Sequence, residues 1–82
     1  MKVTVIGSHL CPDTLYALNR LSAAKAEIDF VDILSSHDAL KTYLNIRETR
    51  PLYKDICGTA RLGIPCFVKE DGSMTLDIND IL

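Results

Sequence analysis

Cysteine is scarce and odd in number: three among 82 residues, with no paired spacing. That argues against the disulfide framework of a small secreted domain and against a four-ligand zinc site, and leaves reduced thiols as the expected state. Histidine is scarcer still, with two in the chain, too few for one chain to build a metal cage from imidazole and thiolate. No charge of one sign dominates. The formal net charge is −2, with both signs scattered along the sequence, which supplies no field for nucleic acid or for polybasic attachment to a membrane. No apolar run approaches membrane-spanning length. The first residues enter a strand alternation at once, without the long apolar segment of a secretion signal, so the expected compartment is the cytoplasm. Repeats, low-complexity tracts and linkers are missing too, and residues 1–82 read as one compact domain. What the chain does have is an apolar fraction of 48%, enough for a small core without a metal or disulfide.

Position 11 concentrates the chemistry. Residues 1–6 read as a strand, Gly7 to Leu10 as a short loop, and Cys11-Pro12-Asp13-Thr14 opens a helix. A thiol at a helix start faces unpaired backbone N–H groups and the positive end of the helix dipole, and both favour thiolate over thiol. Leu10 and Leu15 flank Cys11 at the spacing of a hydrophobic staple, with Cys11 at the cap and Pro12 at the first helical position. Leu15, Leu18 and Leu21 continue an apolar face to a helix end near Ala24. Residues 27–33 alternate charge with apolar side chains as a half-buried strand does, and strand, helix and strand within about thirty residues predict a right-handed βαβ unit with parallel strands. Ser35 and Ser36 offer N-caps for a second helix carrying Leu40, Tyr43 and Leu44 and stopping ahead of Pro51. Tyr53, Ile56, Cys57 and Ala60 recur at helical intervals and predict a short third helix or helical turn. Residues 63–69 read as a strand, and Asp71-Gly72 as the turn of a hairpin into 74–77. The expected order is βαβααββ.

Cys11-Pro12 at the mouth of a first helix, Ile64-Pro65 opening the third strand and the terminal hairpin resemble the glutaredoxin branch of the thioredoxin-fold superfamily. The resemblance implies an α/β fold with a mixed four-stranded sheet flanked by helices, and a glutaredoxin-like thiol–disulfide oxidoreductase acting through a single cysteine. Cys11 is then the nucleophile, attacking a disulfide sulfur to form a mixed disulfide that a second thiol releases. The proline matching Pro65 has a cis peptide bond in that family, holding Ile64 extended so that its backbone pairs with a bound peptide such as glutathione. Thr14 stands where dithiol relatives carry a second cysteine, and it becomes a hydroxyl donor to the thiolate. Asp80 matches an acidic residue used for the γ-glutamyl end of glutathione. Pro12, Ile64, Pro65 and Asp80 are thus the expected binding residues, glutathione or a protein disulfide the partner, and no bound cofactor is called for.

Departures from the family pattern open alternatives. Ser8 replaces a lysine that many glutaredoxins carry three residues before the nucleophile, Asp13 adds negative charge beside Cys11, and Leu76-Asp77 stands in place of paired glycines. Thr14, Ser8 and Leu76-Asp77 each remove a feature that active relatives use, which suits a catalytically inactive thioredoxin-fold binding or regulatory module. A third class, a dimer holding an iron–sulfur cluster, lacks its usual Cys-Gly-Phe-Ser stretch and ranks last. The sequence ends at Leu82, where glutaredoxins continue into another helix, so a sheet face is expected to be less covered or to pair with another molecule, a homodimer included. Cys57 falls on an apolar stripe and reads as core, while Cys66 reads either as core or as a redox partner of Cys11. His9 is a candidate cation for the thiolate, His37 a surface residue, and Arg47, Arg50 and Arg61 are candidates for catching a substrate carboxylate.

Overall fold

The computed structural model describes residues 1–82 as a mixed α/β unit built on one four-stranded sheet. Strand β1 (Lys2–Gly7) is followed by helix α1 (Pro12–Ala23), strand β2 (Glu27–Asp32), helix α2 (His37–Thr49), a 3-10 turn at Pro51–Tyr53, the hairpin β3 (Cys66–Lys69) and β4 (Met74–Thr75), and a second 3-10 turn at Ile78–Asp80. The strands lie in the order β2-β1-β3-β4. β1 pairs parallel with β2, Lys2 against Glu27 through Gly7 against Asp32. It pairs antiparallel with β3, Val3 against Lys69 through Ile6 against Cys66. No helix is long and apolar enough to cross a membrane.

Strand alternation splits the core into two clusters, one per sheet face. Val3, Val5 and Phe67 meet Ala17 and Leu21 of α1 on one face, joined by Ile78 and Ile81. Ile6, Ile33 and Cys66 meet Tyr43 of α2 with Tyr53 and Ile56 on the other. Helix α2 starts where Ser36 accepts a hydrogen bond from the Ala39 N–H at 3.0 Å, a cap that satisfies one of the orphan donors of the first turn.

Three expectations are corrected. The buried face of α1 is Thr14, Ala17 and Leu21, while Leu10 and Leu15 of the anticipated staple are exposed. Gly7 is the reason: a Cβ there would lie 2.5 Å from Thr14 Oγ1, so the bare glycine lets Thr14 seat against β1 and sets the rotation of the helix. The order is βαβαββ: of the short third helix or helical turn expected over 53–60, the turn forms, with Tyr53 O accepting from the N–H groups of Ile56 and Cys57, and no third α-helix does. Gly58 has a φ of +84°, and the carbonyls of Ile56, Thr59 and Arg61 turn to the Arg47 guanidinium instead of to amides four residues ahead. Strand β3 begins at Cys66 rather than at 63, since the carbonyls of Leu62 and Gly63 are taken by the hydroxyls of Tyr43 and Tyr53 and Pro65 has no N–H to give to a ladder.

Candidate active site

Cys11 occupies the N-cap of α1, in extended conformation, with Pro12 at the first helical position. Its N–H donates to Ser8 O at 3.0 Å and its carbonyl accepts from Leu15 at 3.1 Å, so a tight turn from the end of β1 fixes the cap. The N–H groups of Asp13 and Thr14 have no acceptor within the protein, and no side chain caps them. An N-cap side chain faces these two donors, so they are the groups an anion on the Cys11 sulfur would meet.

A groove of about 410 Å³ opens beside the cap, lined by Cys11, Asp13, Arg61, Ile64, Pro65 and Leu76 among others. A second lobe of about 250 Å³ shares Asp13, Ile64, Pro65 and Leu76 and continues past Tyr16 and Asp77. The Ile64-Pro65 peptide bond is cis. Neither the N–H nor the carbonyl of Ile64 is hydrogen-bonded by any group of the protein, which leaves one residue's worth of backbone donor and acceptor on the groove wall.

That wall has no regular structure and is held from behind. Arg47 of α2, its side chain 13% exposed, donates to the carbonyls of Ile56 at 3.2 Å, Thr59 at 2.8 Å and Arg61 at 2.7 Å. Tyr43 donates to Leu62 O and Tyr53 to Gly63 O at 2.7 Å, with the two rings edge to face at 6.1 Å. Burial raises both tyrosine pKa values above the ordinary range, so both hydroxyls keep their protons and stay donors. Gly63, with φ +71°, is required by this arrangement: a Cβ there would lie 2.5 Å from Tyr53 Cε1.

Cys11, Ile64 and Pro65 of the expected site therefore meet in one groove, and Arg61 joins them with its guanidinium in no ion pair or side-chain hydrogen bond. The others stand elsewhere. Thr14 is wholly buried. Its Oγ1 accepts from Ser8 N–H at 3.4 Å and no hydrogen bond joins it to Cys11. Asp80 takes a hydrogen bond from the Thr75 hydroxyl and does not line the groove. His9 pairs through Nδ1 with Asp32 Oδ2 at 2.6 Å, at the β2 end of the sheet, while His37 is exposed at the first position of α2. Asp32 is held below the usual carboxylate range, first by the Leu34 N–H and then by His9. Arg47 is structural, and the Arg50 side chain makes no hydrogen bond or ion pair.

The remaining thiols are both made less acidic. Cys66 is fully buried among the α2-face core, and burial pushes its pKa up. Cys57, half-buried rather than the core residue expected, donates to Glu48 Oε2 at 2.8 Å, and that carboxylate pushes its pKa up. Neither lines the groove. Asp13, Leu76 and Asp77 were not singled out as binding residues. Leu76 and Asp77 reach the groove because β4 and the turn after it lie alongside Pro65, a long-range contact with no local signature, whereas Asp13 borders it from its place two residues after Cys11.

No family model and no solved structure matches the chain. Over 71 residues, 87% of this chain and 83% of the other, the sequence is 27% identical to an uncharacterized protein of Haemophilus influenzae.

Proposed function

We propose that the protein is a glutaredoxin-like thiol–disulfide oxidoreductase of thioredoxin-type fold, working in the cytoplasm through Cys11 alone. One observation carries the reading: Cys11 at the helix cap and Ile64, whose backbone N–H and carbonyl are unpaired, line the same groove beside Pro65. A disulfide lying along Ile64 hydrogen-bonds through its own backbone and presents a sulfur to Cys11. The Cys11 thiolate attacks that sulfur and the S–S bond breaks. The other half leaves as a thiolate that takes a proton from water, and a mixed disulfide remains on Cys11. Thr14 stands where a dithiol enzyme has its resolving cysteine, so an external low-molecular-weight thiol such as glutathione attacks the mixed disulfide. Cys11 leaves as thiolate, and the released half is carried off in a new disulfide. Arg61 is placed to hold a carboxylate of the bound thiol. Cys11→Ser should abolish glutathione-dependent turnover of a disulfide substrate, and Cys57→Ser should leave it intact. Equal loss in the two variants would refute the assignment.

A further inference from the structure

We infer that the β2 edge of the sheet is a docking site for an extended segment of another protein in which basic and apolar residues alternate. Glu27 N–H donates to Met1 O at 2.7 Å and Ile33 N–H to Gly7 O at 2.9 Å, so the odd-numbered residues of β2 turn their backbone to β1. Ile28 and Phe30 turn theirs outward. β2 is an edge strand, and no loop or side chain takes the N–H or carbonyl of either residue. The opposite edge, β4, is only Met74–Thr75, too short to serve as a template of the same kind. The free stretch of β2 stops at Asp32, whose carbonyl is taken by the Ser35 N–H at 3.0 Å and the Ser35 hydroxyl at 2.6 Å.

The side chains along this edge decide what covers it. Ile28 and Phe30 pack on the α1-face core and Val31 on the α2-face core, all half-buried. Glu27 and Asp29 share the face of Val31, are exposed, and make no hydrogen bond or ion pair. Lys2 stands opposite Glu27 and Thr4 opposite Asp29 on β1, and Lys2 forms no ion pair with either carboxylate. A second copy fits this edge badly. Antiparallel pairing of Ile28 with Phe30 of the copy sets Asp29 against Asp29, and pairing Ile28 with Ile28 sets Asp29 against Glu27, so like charges meet at cross-strand distance. Pairing Phe30 with Phe30 requires the Asp32 carbonyl that Ser35 holds. The carboxylates therefore close the edge to copies of the chain. They favour a strand with lysine or arginine opposite Glu27 and Asp29 and apolar side chains opposite Ile28 and Phe30. This edge lies across the sheet from β4, after which Leu76 lines the Cys11 groove, so a docked segment leaves the groove open.

The test titrates the isotope-labelled whole chain with a blocked hexapeptide of alternating lysine and valine and reads amide exchange residue by residue. The N–H groups of Ile28 and Phe30 should become protected severalfold, while those of Asp29 and Val31, already in the ladder, change little. A glutamate–valine twin should bind about tenfold more weakly at low salt. A lysine–valine twin N-methylated at every valine, equal in charge but unable to join a ladder, should give no protection. Glu27→Gln with Asp29→Asn should erase the preference for lysine and Glu27→Lys with Asp29→Lys should reverse it, with unchanged exchange at Val5 showing that both variants are folded. Equal binding of the lysine and glutamate peptides overturns the inference. So does protection by the N-methylated twin, protection at Ile64 in place of Ile28 and Phe30, or no protection at millimolar peptide. A dimer in sedimentation with Ile28 and Phe30 protected before any peptide is added overturns it in favour of a second copy.

Discussion

Arg47→Met removes the donor that gathers three carbonyls of the groove wall while keeping an apolar side chain of similar length. A hydrogen bond to a charged group contributes about 1.5–3 kcal/mol when sheltered. Only the bond to Ile56 is part-buried, while those to Thr59 and Arg61 open to water. The Ile56 carbonyl also keeps the N–H and hydroxyl of Thr59 as partners. The total loss should therefore be about 2 kcal/mol, not the sum of three full bonds. A domain with an ordinary margin of about 5–15 kcal/mol still folds after such a loss. The local effect should be the larger one, because Arg61 O is fixed through Arg47 and the next carbonyl, Leu62 O, is held by Tyr43 of the same helix. Urea unfolding read by linear extrapolation gives the first quantity. Amide exchange at Thr59 and Arg61, whose N–H groups are hydrogen-bonded to Ile56 O and Thr59 Oγ1, compared with Val5, gives the second. Arg47→Lys should behave like Arg47→Met, since one ammonium on a flexible stem does not reproduce the planar fork. A loss below about 0.5 kcal/mol with unchanged exchange at Thr59 and Arg61 would refute the claim that Arg47 holds the wall.

Gly63→Ala, which drives a Cβ to 2.5 Å from the fully buried Tyr53 at φ +71°, should cost about 2–4 kcal/mol by urea unfolding. Gly58→Ala, at φ +84° with open space around it, should cost only about 1 kcal/mol. Iodoacetamide should label Cys11 first, then Cys57, whose thiol is held by Glu48, and Cys66 only on unfolding. Peptide mapping against time checks that order, and early label on Cys66 would contradict it. Acid should destabilise the fold through Asp32, Glu48 and Asp71, held low chiefly by the Leu34 N–H, the Cys57 thiol and the Ser73 hydroxyl respectively. Their folded values lie below their unfolded ones, so their contribution is complete above about pH 4.5 and is lost as pH falls through the folded values. The acid limb of stability against pH should therefore be shallower in Asp32→Asn and Glu48→Gln, and an unchanged limb in both would contradict this.

Local signals were legible in the sequence wherever the cause was local. The alternation of β1 and β2, proline after the cap at position 11, the Ser36 cap of α2 and the Asp71-Gly72 turn each act within a few residues. Residues 53–57 make the helical turn that their apolar spacing suits, but the stretch 58–65 follows no local signal: its carbonyls are claimed by Tyr43, Arg47 and Tyr53, and such side-chain claims cannot be read from a periodicity. The face of α1 was rotated by a glycine in another element, Gly7. Of the site, Cys11 and Ile64-Pro65 could be found because each carries a motif. Asp13 is near the groove through its place two residues after Cys11, while Asp77 becomes a neighbour only through the closing of the sheet.

The central claim is that Cys11 is the single exchanging thiol. Its most direct test is brief exposure of the reduced protein to glutathione disulfide, acid quenching, and mapping of the adduct by peptide mass spectrometry. The account predicts one glutathionyl group per chain, on the peptide containing Cys11. Adduct forming first or equally on Cys57 would contradict it.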